Sequence, residues 1–148
     1  MRVLITLILA TLLTACGDAQ APTLNVERGW MRAPLPGAPM TAAYFTITNS
    51  GDTPVTIDSI SSPQYGRVML HTTREVDGTM QMRPMTALVV PAQGSATLEP
   101  GGDHLMLGEP RVTGDALESI ELILSSGDAP VLSVTVPVSR TNPWPEAS

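Results

Sequence analysis

From residue 24 onward the chain is built of short runs of alternating apolar and polar residues, each cut off by proline or glycine. "TAAYFTITNS" (Thr41 to Ser50) sets Ala43, Phe45 and Ile47 on one side and Tyr44, Thr46 and Thr48 on the other. That period of two belongs to a half-buried strand. "PVTIDSI" reads as the next strand, after the turn "NSGD". "RVMLHTTREV" and "TMQMRPM" flank Asp77-Gly78, the strongest short hairpin signal in the chain. "ALVVPA", "SATLEP" and "HLML" are further short strands between turns, and "LESIELILSS" and "APVLSVTVPV" form a final pair around "GDA". "LESIELIL" also fits a helical spacing through Leu117, Ile120 and Leu124. The alternation of Ile120, Leu122 and Leu124 and the surrounding strands favour an extended segment. Strand signals about 8–12 residues apart, with fourteen prolines spread through the connections, predict an all-β sandwich or barrel.

The N-terminus has a different character. "MRVLITLILATLLTAC" carries Arg2, an apolar run from Val3 to Leu13, and small residues before Cys16. This is a secretory signal, too short for an ordinary membrane-spanning helix. Leu13-Thr14-Ala15-Cys16 resembles the bacterial lipobox, which implies cleavage before Cys16 and lipid on its sulfur. The expected organisation is a lipoprotein signal peptide over 1–15, a lipidated tether over 16–23, a β-domain over 24–139 and a tail over 140–148. Cys16 is the sole cysteine. Once lipidated, it leaves the domain without a disulfide, a thiolate metal site or a thiol redox centre. The balance is acidic, with a net charge of −6, and all eight basic residues are arginine. No basic cluster or aromatic platform suits nucleic acid.

The chemistry-bearing residues are few. His71 and His104 are the two histidines. There is no Gly-x-Ser-x-Gly elbow, phosphate-cradling loop or His-Glu-x-x-His, so an enzyme has little to work with. Methionine is plentiful, and Met69, Met80, Met82, Met85 and Met106 share the interval that holds both histidines. One reading makes them core fillers with two incidental imidazoles. The other follows from geometry. In a strand, residues i and i+2 face the same way, about 7 Å apart, so His104 and Met106 can reach one point. A two-residue turn at Asp77-Gly78 sets Val76 opposite Thr79 and His71 opposite Pro84, which leaves Met82 diagonal to His71 on the same face. Met80 shares that face, whereas Met85 faces the core. Two imidazoles and two thioethers form a soft, neutral donor set that favours Cu(I). A blue-copper site would need a cysteine that the domain lacks.

The spacing His71-x10-Met82-x21-His104-x-Met106 matches the H-x10-M-x21-H-x-M signature of the periplasmic copper chaperones called PCu(A)C. "GWMRAPLPGAPMTAAYFTITNSGD", "DGTMQMRPM" and "PGGDHLMLGEP" are also similar to that family, and the resemblance covers residues 25–138. It implies a cupredoxin-like β-sandwich with an exposed copper site at one end. His71, Met82, His104 and Met106 would bind one Cu(I). The protein would be a monomer in the periplasm, held to a membrane through Cys16. It would supply the CuA centre on the copper-bearing subunit of cytochrome c oxidase, alongside a Sco-type thiol protein. The tail "RTNPWPEAS" lacks the His/Met-rich extension that binds further copper in some members. Two alternatives remain open on the residues alone: a lipid-anchored interaction scaffold with Met and His in its core, and a copper-scavenging protein using the same site. Of the neighbours, Asp103 is read as an exposed aspartate or an acceptor for an imidazole, and Arg74 and Arg83 as solvated or as contacts for an acidic partner. Trp30 and Tyr44 are read as core.

Overall fold

A computed structural model describes residues 23–112 and 117–144. The expected signal peptide and Cys16 lie outside these residues. Eleven strands follow in order: β1 (Leu24–Arg32), β2 (Met40–Asn49), β3 (Val55–Ile57), β4 (Ser59–Ser61), β5 (Tyr65–Val76), β6 (Thr79–Pro84), β7 (Leu88–Val90), β8 (Gly94–Leu98), β9 (Asp103–Pro110), β10 (Ser119–Ser126) and β11 (Ala129–Ser139). The described residues contain no helix, so the all-β reading holds, including the strand assigned to "LESIELIL".

Nine strands form one curled sheet in the order β4-β10-β11-β1-β2-β9-β5-β6, with β8 added beside β2; β3 and β7 pair separately. Pairing is antiparallel except between β1 and β11. The "PVTIDSI" segment is two strands rather than the single one expected. Asp58 interrupts it: its carboxylate accepts the Gly127 N–H at 3.0 Å, and its own N–H donates to the Ser125 carbonyl at 3.2 Å. The chain thereby leaves β7 for β10.

The core fills the inside of the curl. Ala43, Phe45 and Ile47 of β2, Leu105 and Leu107 of β9, and Ile120, Leu122 and Leu124 of β10 are almost wholly buried there. Each is an alternate residue of its strand, which is how a half-buried sheet divides its two faces. β2 is where the sheet branches. Met40–Ala43 pair with β9, and Phe45–Asn49 pair with β8, while β1 runs along the other edge.

The Asp77-Gly78 turn has positive φ at both positions, 51° and 76°, as a type I′ turn requires. Its register is the expected one, with Val76 opposite Thr79 and His71 opposite Pro84. Phe45 is 1% exposed at the branch point, so Phe45→Ala should cost about 3–5 kcal/mol in urea unfolding, the usual cost of truncating a packed phenylalanine. A loss below about 1 kcal/mol would mean that this part of the core is not closely packed.

Candidate metal centre

The face of the sheet turned away from the core carries the four candidate donors. Strand β5 pairs with β9 so that His71 lies directly opposite His104, and Met69 opposite Met106. The two imidazole rings are 6.1 Å apart between centroids and inclined by 22°. On the other side of β5, Met82 is opposite Thr73, one step from His71 along the same face. Leu70, Leu105 and Leu107 occupy the intervening positions and point into the core. Burying these leucines forces His71, His104 and Met106 outward.

A cavity of about 350 Å³ opens on this face and is lined by Met82, His104, Met106, Thr73, Tyr44 and the β1–β2 connection. His71 is not among its lining residues, so the structure joins three of the four candidates in one cavity and brings the fourth beside them through the imidazole pair. His104 is buried, His71 and Met106 are half-buried, and Met82 is 53% exposed. Exposure of the four candidates thus rises from His104 to Met82, and all of them stand on strands, His71 on β5, Met82 on β6, and His104 and Met106 on β9.

Local chemistry fixes His104. Its Nδ1 lies 3.0 Å from the Gly102 carbonyl. A carbonyl only accepts, so Nδ1 carries a hydrogen, and in the neutral ring the lone pair lies on Nε2. The same carbonyl accepts the Thr73 N–H at 3.1 Å, tying the turn before β9 to β5. Gly101 makes that turn possible, with φ at +82°. Asp103 does not orient an imidazole. It accepts from Thr72 Oγ1 at 2.7 Å and from Arg74 at 2.8 Å. That contact engages Arg74, and Arg83 donates to Gln81 at 2.8 Å.

His71 is held less completely. Its Nδ1 is buried and has no hydrogen-bond partner. Burial lowers its pKa from the ordinary 6.5, and repulsion from His104 and Arg67 lowers it further. The Met69 backbone opposes the shift, although no contact of Nδ1 has hydrogen-bond geometry. A neutral ring with a free nitrogen is the form that can ligate a metal. No group of three or more His, Cys, Asp or Glu side chains suited to a metal is found among the described residues. Beside the two imidazoles, the donors on this face are thioether sulfurs, which favour soft monovalent cations.

Residue-level reading of the sequence missed the surroundings of the site. Trp30 and Tyr44 are buried, with ring centroids 5.0 Å apart, yet they stand outside the core cluster. They pack on the outer face, where Tyr44 walls the cavity. Their alternation with Met31, Ala43 and Phe45 was the available signal. Arg32 and the proline-rich connection "APLPGAP" also went unassigned, and both border the cavity.

Fold and outward His/Met face together define a domain of the PCu(A)C type, in line with the signature in the sequence. The profile of the family described as "Putative lipoprotein LpqE-like" matches residues 24–138, and the chain belongs to this family. A relative named "Putative lipoprotein Lxx21020", from Leifsonia xyli subsp. xyli (strain CTCB07), is 29% identical over 120 residues, covering 80% of this chain and 71% of that protein. The solution structure of CuI-DR1885 from Deinococcus radiodurans superposes with a TM-score of 0.58 at 28% identity, covering 85% of this chain and 83% of that one. The copper-bound PCuAC domain from PmoF2 superposes at 0.63 with 22% identity, over 83% of this chain and 98% of that domain, and shares the fold.

The lowered pKa of His71 has a stability consequence. Between its folded value and 6.5, the unfolded chain binds the proton and the native protein does not. Stability of the metal-free protein should therefore fall as pH drops from about 6.5. A His71→Gln variant should show a shallower fall of melting temperature between neutral pH and the mid-fives. Parallel curves for the two proteins would contradict the assignment.

Proposed function

We propose that this protein is a lipid-anchored periplasmic copper carrier that binds one Cu(I) through His71, Met82, His104 and Met106 and delivers it for assembly of the CuA centre of cytochrome c oxidase. The observation that carries the reading is the β5–β9 register, which sets His71 against His104 with Met106 and Met82 on the same outward face. Support comes also from the copper-bound relatives, CuI-DR1885 and the PmoF2 domain, and from the lipoprotein family description.

The chemistry suits transfer rather than catalysis. Thioethers and neutral imidazoles need lose no proton to bind Cu(I), and they resist oxidation to disulfides in an oxidising compartment. A thiolate acceptor displaces such neutral ligands stepwise. Met82, the most exposed donor, leaves first, and His104, fixed by Gly102, leaves last. A scaffold with Met and His in its core fits poorly, because Met80 and Met82 are 57% and 53% exposed and the imidazoles face each other. A scavenger would use the same site with another recipient.

Titration of the mature protein with Cu(I) against a competing chelator should give one equivalent bound. Met82→Ala and Met106→Ala should each weaken binding by tenfold or more, about 1.4 kcal/mol per factor of ten. A smaller loss in both would remove the thioethers from the site. Deleting the gene should lower oxidase activity in copper-poor medium, with recovery when copper is added. Unchanged activity there would favour scavenging over delivery.

A further inference from the structure

We propose that the mouth of the Met82–His104–Met106 cavity is the surface on which the copper recipient docks, and that it selects a recipient whose acceptor site is ringed by carboxylates. This deepens the copper-carrier reading and rests on it.

The rim is apolar and turned to solvent. Leu35 is 70% exposed, Met80 57% and Met82 53%. Leu35 and Met82 border the same cavity, and Met80 follows Met82 on its face of β6. Leu35 is held out by a tight turn, in which the Ala38 N–H donates to the Leu35 carbonyl at 3.0 Å and Gly37 takes φ of +76°. Pro34, Pro36 and Pro39 stiffen the connection. An exposed leucine on a rigid turn adds nothing to the core, yet it loses little conformational freedom when a partner covers it.

The charge at the mouth runs against the charge of the chain. Arg32 is the only charged residue among those lining the cavity. Arg67 lies on the same face, opposite Gly108, close enough to act on His71. Neither is paired with a carboxylate among the described residues, where the ion pair found joins Arg74 and Asp103. Arg67 turns its Nε to Met69 sulfur at 3.1 Å. The acidic groups nearby are Glu75, opposite Met80 and toward the hairpin tip, Glu99, packed against Gly102 at the turn before β9, and Asp103, whose charge is met by Arg74. The chain as a whole carries −6 and its distant field favours a basic partner. Charges beyond about 10 Å are largely screened at 0.1 M salt, so Arg32 at the mouth and Arg67 farther along the same face decide the choice.

The test uses two synthetic acceptor peptides with the same cysteine-containing copper-binding sequence, one flanked by aspartates and the other by lysines. Cu(I) passes from imidazole and thioether to peptide thiolate without change of oxidation state, and the thiol proton goes to buffer. With the Cu(I)-loaded mature protein at about 0.1 M salt, transfer to the aspartate peptide should be roughly fivefold faster or more, and the advantage should shrink at about 0.5 M. Arg32→Glu combined with Arg67→Glu should reverse the preference, and Leu35→Ser should slow transfer to both peptides. Chelator competition on each variant separates any change in Cu(I) affinity from the change in transfer. Equal rates, or faster transfer to the lysine peptide, overturn the docking inference and leave the copper site standing. A wild-type protein that takes up no Cu(I), or holds it and yields it to neither peptide, overturns the carrier reading and this inference with it.

Discussion

The alternation of side chains along β9 is the constraint on which the site depends. Leu105 and Leu107 are fully buried, and a strand cannot bury them without turning His104 and Met106 to the other face. The same rule acts on β5, where Leu70 goes in and Met69 and His71 go out. Core packing therefore does two tasks with one pattern. It anchors the strands, and it holds the imidazoles in register without any bond between them. A slip of one residue between β5 and β9 would bury a histidine and expose a leucine, so the hydrophobic core guards the geometry of the metal face.

On that face the four candidates are held to different degrees. His104 is buried and tied to the Gly102 carbonyl, and Met82 stands half in solvent within the second strand of the hairpin. Between them, His71 has a buried nitrogen without a partner. A buried polar atom left without a partner costs of order 1–3 kcal/mol, so His71 is the least satisfied of the four. The three thus differ in how firmly the fold holds them: His104 is fixed, His71 is unsatisfied and Met82 is open to solvent.

Much of this was legible in the chain. The period of two in "TAAYFTITNS", the Asp77-Gly78 turn and the His-x-Met pair each fix local geometry through short-range physics, and the hairpin register came out as the turn chemistry requires. Other features were not legible because they depend on which strands become neighbours. The break at Asp58 needs Gly127, 69 residues away, as its partner. Asp103 was weighed as an imidazole acceptor, yet strand pairing sets it beside Thr72 and Arg74. Trp30 and Tyr44 were recognisable as buried, but only the curl of the sheet shows that they pack on the outer face and that Tyr44 lines the cavity there.

The sequence by itself determined the strand periodicity, the turn that aligns Met82 with His71, and the soft, cysteine-free donor set, since these follow from residue types and spacings within a few positions. The tertiary structure decided that His71 faces His104, that Tyr44 and the proline-rich connection border the cavity, and that Arg32 stands at its mouth without a carboxylate partner among the described residues. Those outcomes require β5, β9 and β2 to lie side by side. Their adjacency is fixed by burial of a shared core across long stretches of chain, and no local pattern encodes it.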